Sequence, residues 1–219
     1  MLEQRVKRGV IMIKIENVEV CGFEHAVRGM RNPKNSWDKS DSLHKFLCED
    51  NKFHFGSSDL QLAETLSKAG TDHGKFLRMI TVWCDITASQ TFWAEFDTYK
   101  VGTVKDSCSK MHTIHIKPFD IDDFDHEGID DCGFTTIFKD YLHILEYLRL
   151  EFNMTGEKKY WRALIEMLPM GFHLKATVSF NYAVLRNMYH ARQNHKLDEW
   201  KEFCKWVESL SYSELITEI

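Results

Sequence analysis

Residues 168–192 read LPMGFHLKATVSFNYAVLRNMYHAR. Pro169 has no amide to give a helix interior, so it ends the apolar-periodic segment Glu157 to Leu168 before it. Beyond it, apolar residues recur at helical spacing, which predicts a helix from about Thr177 to Ala191. Three polar side chains stand at fixed separations: Asn181 twelve residues after Pro169, Asn187 six further on, and Arg192 five beyond that. At about 100° per residue, Asn181 and Arg192 share one face, three turns apart, and Asn187 points about 120° away. One compact site cannot draw on all three from a single subunit. Taken alone, Arg192 also reads as a surface ion-pair partner near a helix C-terminus, where the helix dipole favours a cation.

Upstream, Phe138 to Phe152 is amphipathic, with Tyr141, Leu142, Leu145 and Leu148 at spacings of three and four. Downstream, a last helix is predicted from Leu197 to Leu210 with its DEWKEF charges outward. In the N-terminal half, Ile13, Ile15, Val18 and Val20 alternate with Lys14, Glu16 and Glu19, the period of a half-buried strand. Residues 29–42, GMRNPKNSWDKSDS, form a polar, turn-rich loop around Trp37. Ser57 or Ser58 is placed to cap a helix from Asp59 to about Ala69, which Gly70 ends. FLRMITVWCDIT, residues 76–87, reads as a central strand. Residues 88–100 read as a helix with Phe92, Trp93 and Phe96 on one face, Gly102 opens a polar stretch, and His112 to Ile116 reads as a strand. Strands and helices mixed in this way predict an α+β fold.

The 219 residues contain only 3 prolines, too few for a Pro-rich linker, so one domain over 1–219 is expected, with residues 1–11 as an extension ahead of the first strand. Apolar residues at 43% and aromatics at 13% supply a core that needs no staples. A net charge of −5 argues against a broad basic surface for nucleic acid. Six cysteines with no Cys-x-x-Cys pair suit reduced thiols and a cytoplasmic setting. Val10 to Ile13 is too short an apolar run for a signal peptide, and no stretch reaches the roughly 18 apolar residues of a membrane span. The acidic run DIDDFDHEGIDD at 120–131 lacks the glycine at its sixth position and the glutamate at its twelfth that a calcium loop needs. His112, His115 and His126 show no metal-ligand spacing, so no metal is predicted.

A second block, His73 to Met111, contains a histidine, a hydrophobic strand, Ala88 at a turn, and a helix running into Thr98-Tyr99-Lys100, Thr103, Lys105, Cys108, Lys110 and Met111. Laid beside Leu168-Pro169, Asn181, Asn187 and Arg192, this register resembles the flavin-dependent thymidylate synthases. Their signature has Arg-His-Arg, then serine, asparagine and a Ser-x-Arg-Tyr ending at these places. The two blocks cover less than a third of the chain. The resemblance implies an α+β fold with a central antiparallel or mixed sheet and flanking helices. It implies that His73, Lys100, Asn181 and Asn187 contact FAD, and that Arg192 faces the uracil ring of a pyrimidine nucleotide as the catalytic cation. Glu95, Asp106, Cys108 and Lys110 fall near that nucleotide. Methylenetetrahydrofolate and reduced nicotinamide are the implied co-substrates. A homotetramer is the implied assembly, its sites lying where subunits meet, so that both faces of the 181–192 segment serve.

The departures bear on phosphate binding. Thr98 has no charge, Ala183 replaces a flavin-binding arginine, and Lys100 and Lys110 keep a charge without the planar fork that grips phosphate by two parallel bonds. Two functions follow from different classes: an enzyme that modifies a dUMP-like nucleotide, or a non-catalytic relative that binds a nucleotide or a protein. Bland readings stand beside each residue. His73 could cap its own turn. Trp93, Phe96 and Tyr99 fit a core as well as a flavin stack. Cys108 would be a nucleophile only with its thiol activated by Lys105 or Lys110.

Overall fold

The computed structural model describes residues 13–44, 47–49 and 52–218; the expected extension over residues 1–11 lies outside them. Four strands, β1 (Ile13–Cys21), β2 (Thr81–Ser89), β3 (Val104–Ser107) and β4 (His173–Asn181), form an antiparallel sheet in the order β1-β2-β4-β3. The helices are α1 (Phe23–Arg31), α2 (Ser57–Lys68), α3 (Gln90–Phe96), α4 (Lys110–Thr113), α5 (Glu127–Asp131), α6 (Thr135–Thr155), α7 (Lys158–Met167), α8 (Tyr182–Arg192), α9 (Asp198–Glu208) and α10 (Glu214–Thr217). The expected α+β class with an antiparallel sheet and flanking helices is therefore the observed one.

Side chains alternate along the central strands as the strand period requires. Val82, Cys84, Ile86 and Ala88 of β2, and Ala176, Val178 and Phe180 of β4, are buried. Between them on β2, Asp85 accepts hydrogen bonds from Asn17 Nδ2 at 2.9 Å and Thr177 Oγ1 at 2.6 Å.

The chain folds into two compact units, and β2 and β4 contribute to both. The first contains Ile86–Asp97 and Asp106–Ala176. Its core joins Ile114, Phe124, Leu142, Leu145, Leu148 and Leu164, with α7 packed on α6. Gly156, at φ +68°, ends α6 in the left-handed conformation that glycine adopts without strain. Ser89 Oγ accepts from Phe92 N at 3.2 Å and starts α3, whose Phe92, Trp93 and Phe96 are buried.

The second unit holds Glu16–Asp85, Thr98–Lys105 and the chain from Thr177 onward. Phe23 and Val27 of α1, Leu185 and Met188 of α8, and Trp200 and Phe203 of α9 are buried here. Gly22 makes the turn from β1 into α1 at φ +97°, and a Cβ there would lie 2.0 Å from Met79 O. Asp41 reaches across to the start of α2, its carboxylate accepting from Ser58 N at 2.9 Å and Asp59 N at 3.0 Å. The cap of α2 is thus supplied from 17 residues away rather than by Ser57 or Ser58, which lie inside the helix.

Several predicted elements shift. The helix expected from Thr177 is strand to Asn181, because KATVSF alternates buried and open positions, and it turns helical only from Tyr182. The strand expected from Phe76 begins at Thr81, after a 3-10 helix over Gly74–Met79. Residues 29–42 are not all loop: α1 runs to Arg31, and 3-10 turns follow at Asn32–Lys34 and Trp37–Lys39. His112 to Ile116 is not a strand, since a helical turn covers Lys110–Thr113, and β3 lies in the polar stretch after Gly102. The helix expected over 88–100 is confined to Gln90–Phe96. On α9 the DEWKEF run is not wholly outward, since Glu199 is only 6% exposed.

Candidate functional site

The second unit holds His73, Lys100, Asn181, Asn187 and Arg192. Asn181 is the N-cap of α8: its Oδ1 accepts from Val184 N at 3.1 Å, which satisfies one of the amides that a helix start leaves open. Its Nδ2 lies near Gly102, which sits at φ +79° and where a Cβ would lie 3.2 Å from that amide and 3.0 Å from Val184 Cγ2, so a side chain there would be strained and would need its neighbours to give. Next in that segment, Thr103 Oγ1 is buried with no hydrogen-bond partner among the described residues. A buried hydroxyl left unpaired is costly, and a ligand's polar atom would relieve it.

Arg192 closes the same helix. Its Nε donates to Tyr99 Oη at 2.8 Å, and its guanidinium lies 5.5 Å from the Tyr99 ring centroid and 4.8 Å from that of Trp200. The plane is thus pinned by one hydrogen bond and two aromatic faces, an arrangement suited to arginine and closed to lysine. Asn187 is exposed, whereas Asn181 and Arg192 are half-buried, as their different angular positions on the helix require. His73 is exposed at the start of the 3-10 helix and makes no side-chain cap bond there; Lys100 is exposed.

The first unit holds Glu95, Asp106, Cys108 and Lys110. Gln90 organises this group: its N donates to Phe172 O at 3.1 Å, its Nε2 to Pro169 O at 3.1 Å, and its Oε1 accepts from Lys110 Nζ. Lys110 is therefore held beside the Leu168-Pro169 break that opens the family-like block. Cys108 N donates to Lys175 O at 2.9 Å, which ties the segment to β4, while its exposed thiol lies 3.7 Å from Thr113 Oγ1. Glu95 is half-buried and Asp106 exposed. Among the described residues no group of three or more His, Cys, Asp or Glu side chains gathers as metal ligands.

The sequence names Tyr99 as a register position and as a core or flavin-stacking ring, and Thr103 as a register position, but it does not point to Trp200 or Gln90 or to the Tyr99–Arg192 contact. Tyr99 had a signal, since it occupies the middle place of the signature register, where the family has histidine. Trp200 and Gln90 had none, because a helix tryptophan and a helix-start glutamine are ordinary in any core or cap.

The fold so built is an α+β architecture in which a capped helix follows the strand neighbouring both β2 and β3. Two solved structures of thymidylate synthase X from Helicobacter pylori share it. One, with FAD and dUMP at 2.31 Å resolution, superposes with a TM-score of 0.69 at 16% identity, covering 94% of this chain and 96% of that one. The other, a flavin-dependent thymidylate synthase complexed with FAD and dUMP, gives 0.65 at 15% identity over 93% and 97%. No family model and no curated protein matches the sequence.

Proposed function

We propose that the chain is a divergent flavin-dependent thymidylate synthase-like protein that binds FAD and a dUMP-like pyrimidine nucleotide. The observation that carries this reading is the near-complete two-way coverage by a protein solved with both ligands, joined to a residue register recognisable without any structure. FAD fits the residues present: the unpaired Thr103 hydroxyl beside Gly102 and the Asn181 amide are polar atoms without strong charge, suited to the edge of a flavin, and Lys100 and Lys110 are cations for phosphate. When bound, the flavin supplies reducing equivalents to a one-carbon unit brought by methylenetetrahydrofolate, with reduced nicotinamide as the source. Arg192, held flat by Tyr99 and Trp200, orients the pyrimidine and stabilises charge developing on it. His73, Asn181 and Asn187 contact the flavin, Glu95, Asp106 and Cys108 line the nucleotide, and the working form is a cytoplasmic homotetramer of single-domain chains.

A second reading is favoured by one observation. In the signature register Thr98 has no charge, and the Tyr99 hydroxyl is engaged with Arg192. A relative that keeps the nucleotide pocket and has abandoned turnover fits these two residues. A visible absorption spectrum before and after adding FAD, with a light-scattering mass on the same sample, tests the first reading. Bound flavin in a tetramer supports it, and turnover of dUMP then separates enzyme from binder. A colourless protein that ignores FAD refutes it.

A further inference from the structure

Beside α1, and lined by none of the residues assigned above, the second unit contains a cleft of about 200 Å³ walled by Glu24, Val27, Arg28, Trp37 and Phe53, with Arg31, Ser40, Ser42 and His44 completing its wall. We propose that this cleft is a second binding site, for a small planar aromatic or heteroaromatic anion, independent of the flavin and nucleotide reading.

Three observations carry it. First, the wall is rigid. Asp59, 0% exposed, accepts from Arg31 Nε at 2.5 Å, Ser40 Oγ at 2.6 Å, Ser42 Oγ at 2.6 Å, Asp41 N at 3.2 Å and Ser42 N at 3.2 Å. The rest of the Arg31 fork is spent on Ser36 O and Ser58 Oγ, both at 3.3 Å. Two paired charges withdrawn from water and bonded on every nitrogen of the Arg31 fork hold the 36–42 segment, so the cleft needs little ordering when a ligand arrives. Second, Trp37 is held in place with its ring open: Nε1 donates to Asn32 Oδ1 at 2.8 Å while half the residue stays exposed. An indole fixed by its polar edge, with Phe53 and Val27 in the same lining, presents apolar faces to a flat ring. Third, a guanidinium stands open at the cleft. Arg31 is neutralised by Asp59, whereas Arg28 forms no ion pair among the described residues and lies 3.2 Å from His25 Nδ1; Glu24, also in the lining, lies 3.3 Å from His44 Nδ1, which offsets its charge when protonated. The Arg28 fork matches a carboxylate or phosphate. The volume lies below that of most drug-sized sites and just above a cavity known to accept benzene, which sets the ligand at one or two fused rings.

The probe is 2-naphthoate, with uncharged 2-naphthamide as its control, followed on the indole N–H signals of 15N-labelled full-length protein. The chain has six tryptophans, and Trp37→Phe assigns the Trp37 signal by its loss. The expected result is a saturable shift of the Trp37 signal with naphthoate, about tenfold weaker with Arg28→Gln or with the amide, while the other five indole signals keep their positions and report an intact fold. A Trp37 signal that does not move, or that moves equally with the amide or in Arg28→Gln, overturns the proposal. Because FAD uptake is read separately by absorbance, failure here leaves the flavin reading untouched.

Discussion

Arg192 shows how one side chain is given a direction. A guanidinium on a helix end is ordinarily free to sweep through solvent, but here a hydrogen bond donated to Tyr99 Oη and the rings of Tyr99 and Trp200 hold its plane. Removing only the hydroxyl, in Tyr99→Phe, is expected to cost about 1 kcal/mol, seen as a melting point lower by roughly 2–4 °C, and, on the proposed function, to weaken dUMP binding measured by calorimetry. Arg192→Lys keeps the charge and loses the fork, and on the same proposal should weaken dUMP binding by about tenfold or more. Asp59 is the structural counterpart. Asp59→Ala strands the buried Arg31 charge and is expected to cost about 3–5 kcal/mol, read as a lower urea midpoint with unchanged slope. Legibility at this scale was uneven for a physical reason. Arg192 and Asn181 are legible because the resemblance rests on fixed separations within one short block, but Tyr99 meets Arg192 across 93 residues and no periodicity encodes such a contact. The Arg31–Asp59 pair, 28 residues apart, was hidden in the same way.

The elements explain the largest misreading. In KATVSFNYAVLRNM the apolar residues satisfy strand alternation up to Asn181 and helical spacing after it, so the whole run can be fitted to one helix. The deciding signal was Asn181 itself, a residue whose side chain prefers to cap a helix rather than sit within one. Helices α6, α7 and α9 were legible because their apolar stripes are long, whereas α1 and β3 are short and polar at one end and compete poorly against a turn reading. The β1–α1 junction makes its own prediction. Gly22→Ala forces a left-handed backbone on a residue with a side chain, worth about 1–2 kcal/mol, and drives the new Cβ into the Met79 carbonyl at 2.0 Å. Chemical denaturation should therefore show a loss greater than the backbone term alone, because Met79 lies on main chain that cannot swing aside.

Across the whole molecule, the titrating groups set an acid-sensitive stability. Burial holds His190 below its ordinary value of 6.5, outweighing the hydrogen bond between its Nε2 and Ile216 O. Burial pushes the Asp59 carboxyl up, but bonds from Ser40, Ser42 and Arg31, with the Arg31 charge, outweigh it and hold the group below 3.8. In both cases the folded state binds fewer protons than the unfolded one, so stability is present above the ordinary value and is lost as pH falls. Urea midpoints should decline in two stages, one beginning near pH 6.5 and one near pH 4, and His190→Gln should abolish the first. The thiols divide in the same molecule-wide way. Burial raises Cys84 to about 12 and Cys204 to about 11, so a thiol reagent should modify exposed Cys21, Cys108 and Cys132 and spare these two until the protein unfolds.

The strand order has a consequence in time. Every pairing in β1-β2-β4-β3 joins segments separated by long stretches of chain, and β2 at Thr81–Ser89 finds its inner neighbour only at His173–Asn181. Such loops must close before any ladder rewards them, which slows the search for the native sheet. A ribosome therefore delivers the two inner strands far apart in time: β2 waits, unpaired along its inner edge, while the long stretch of chain up to His173 is made.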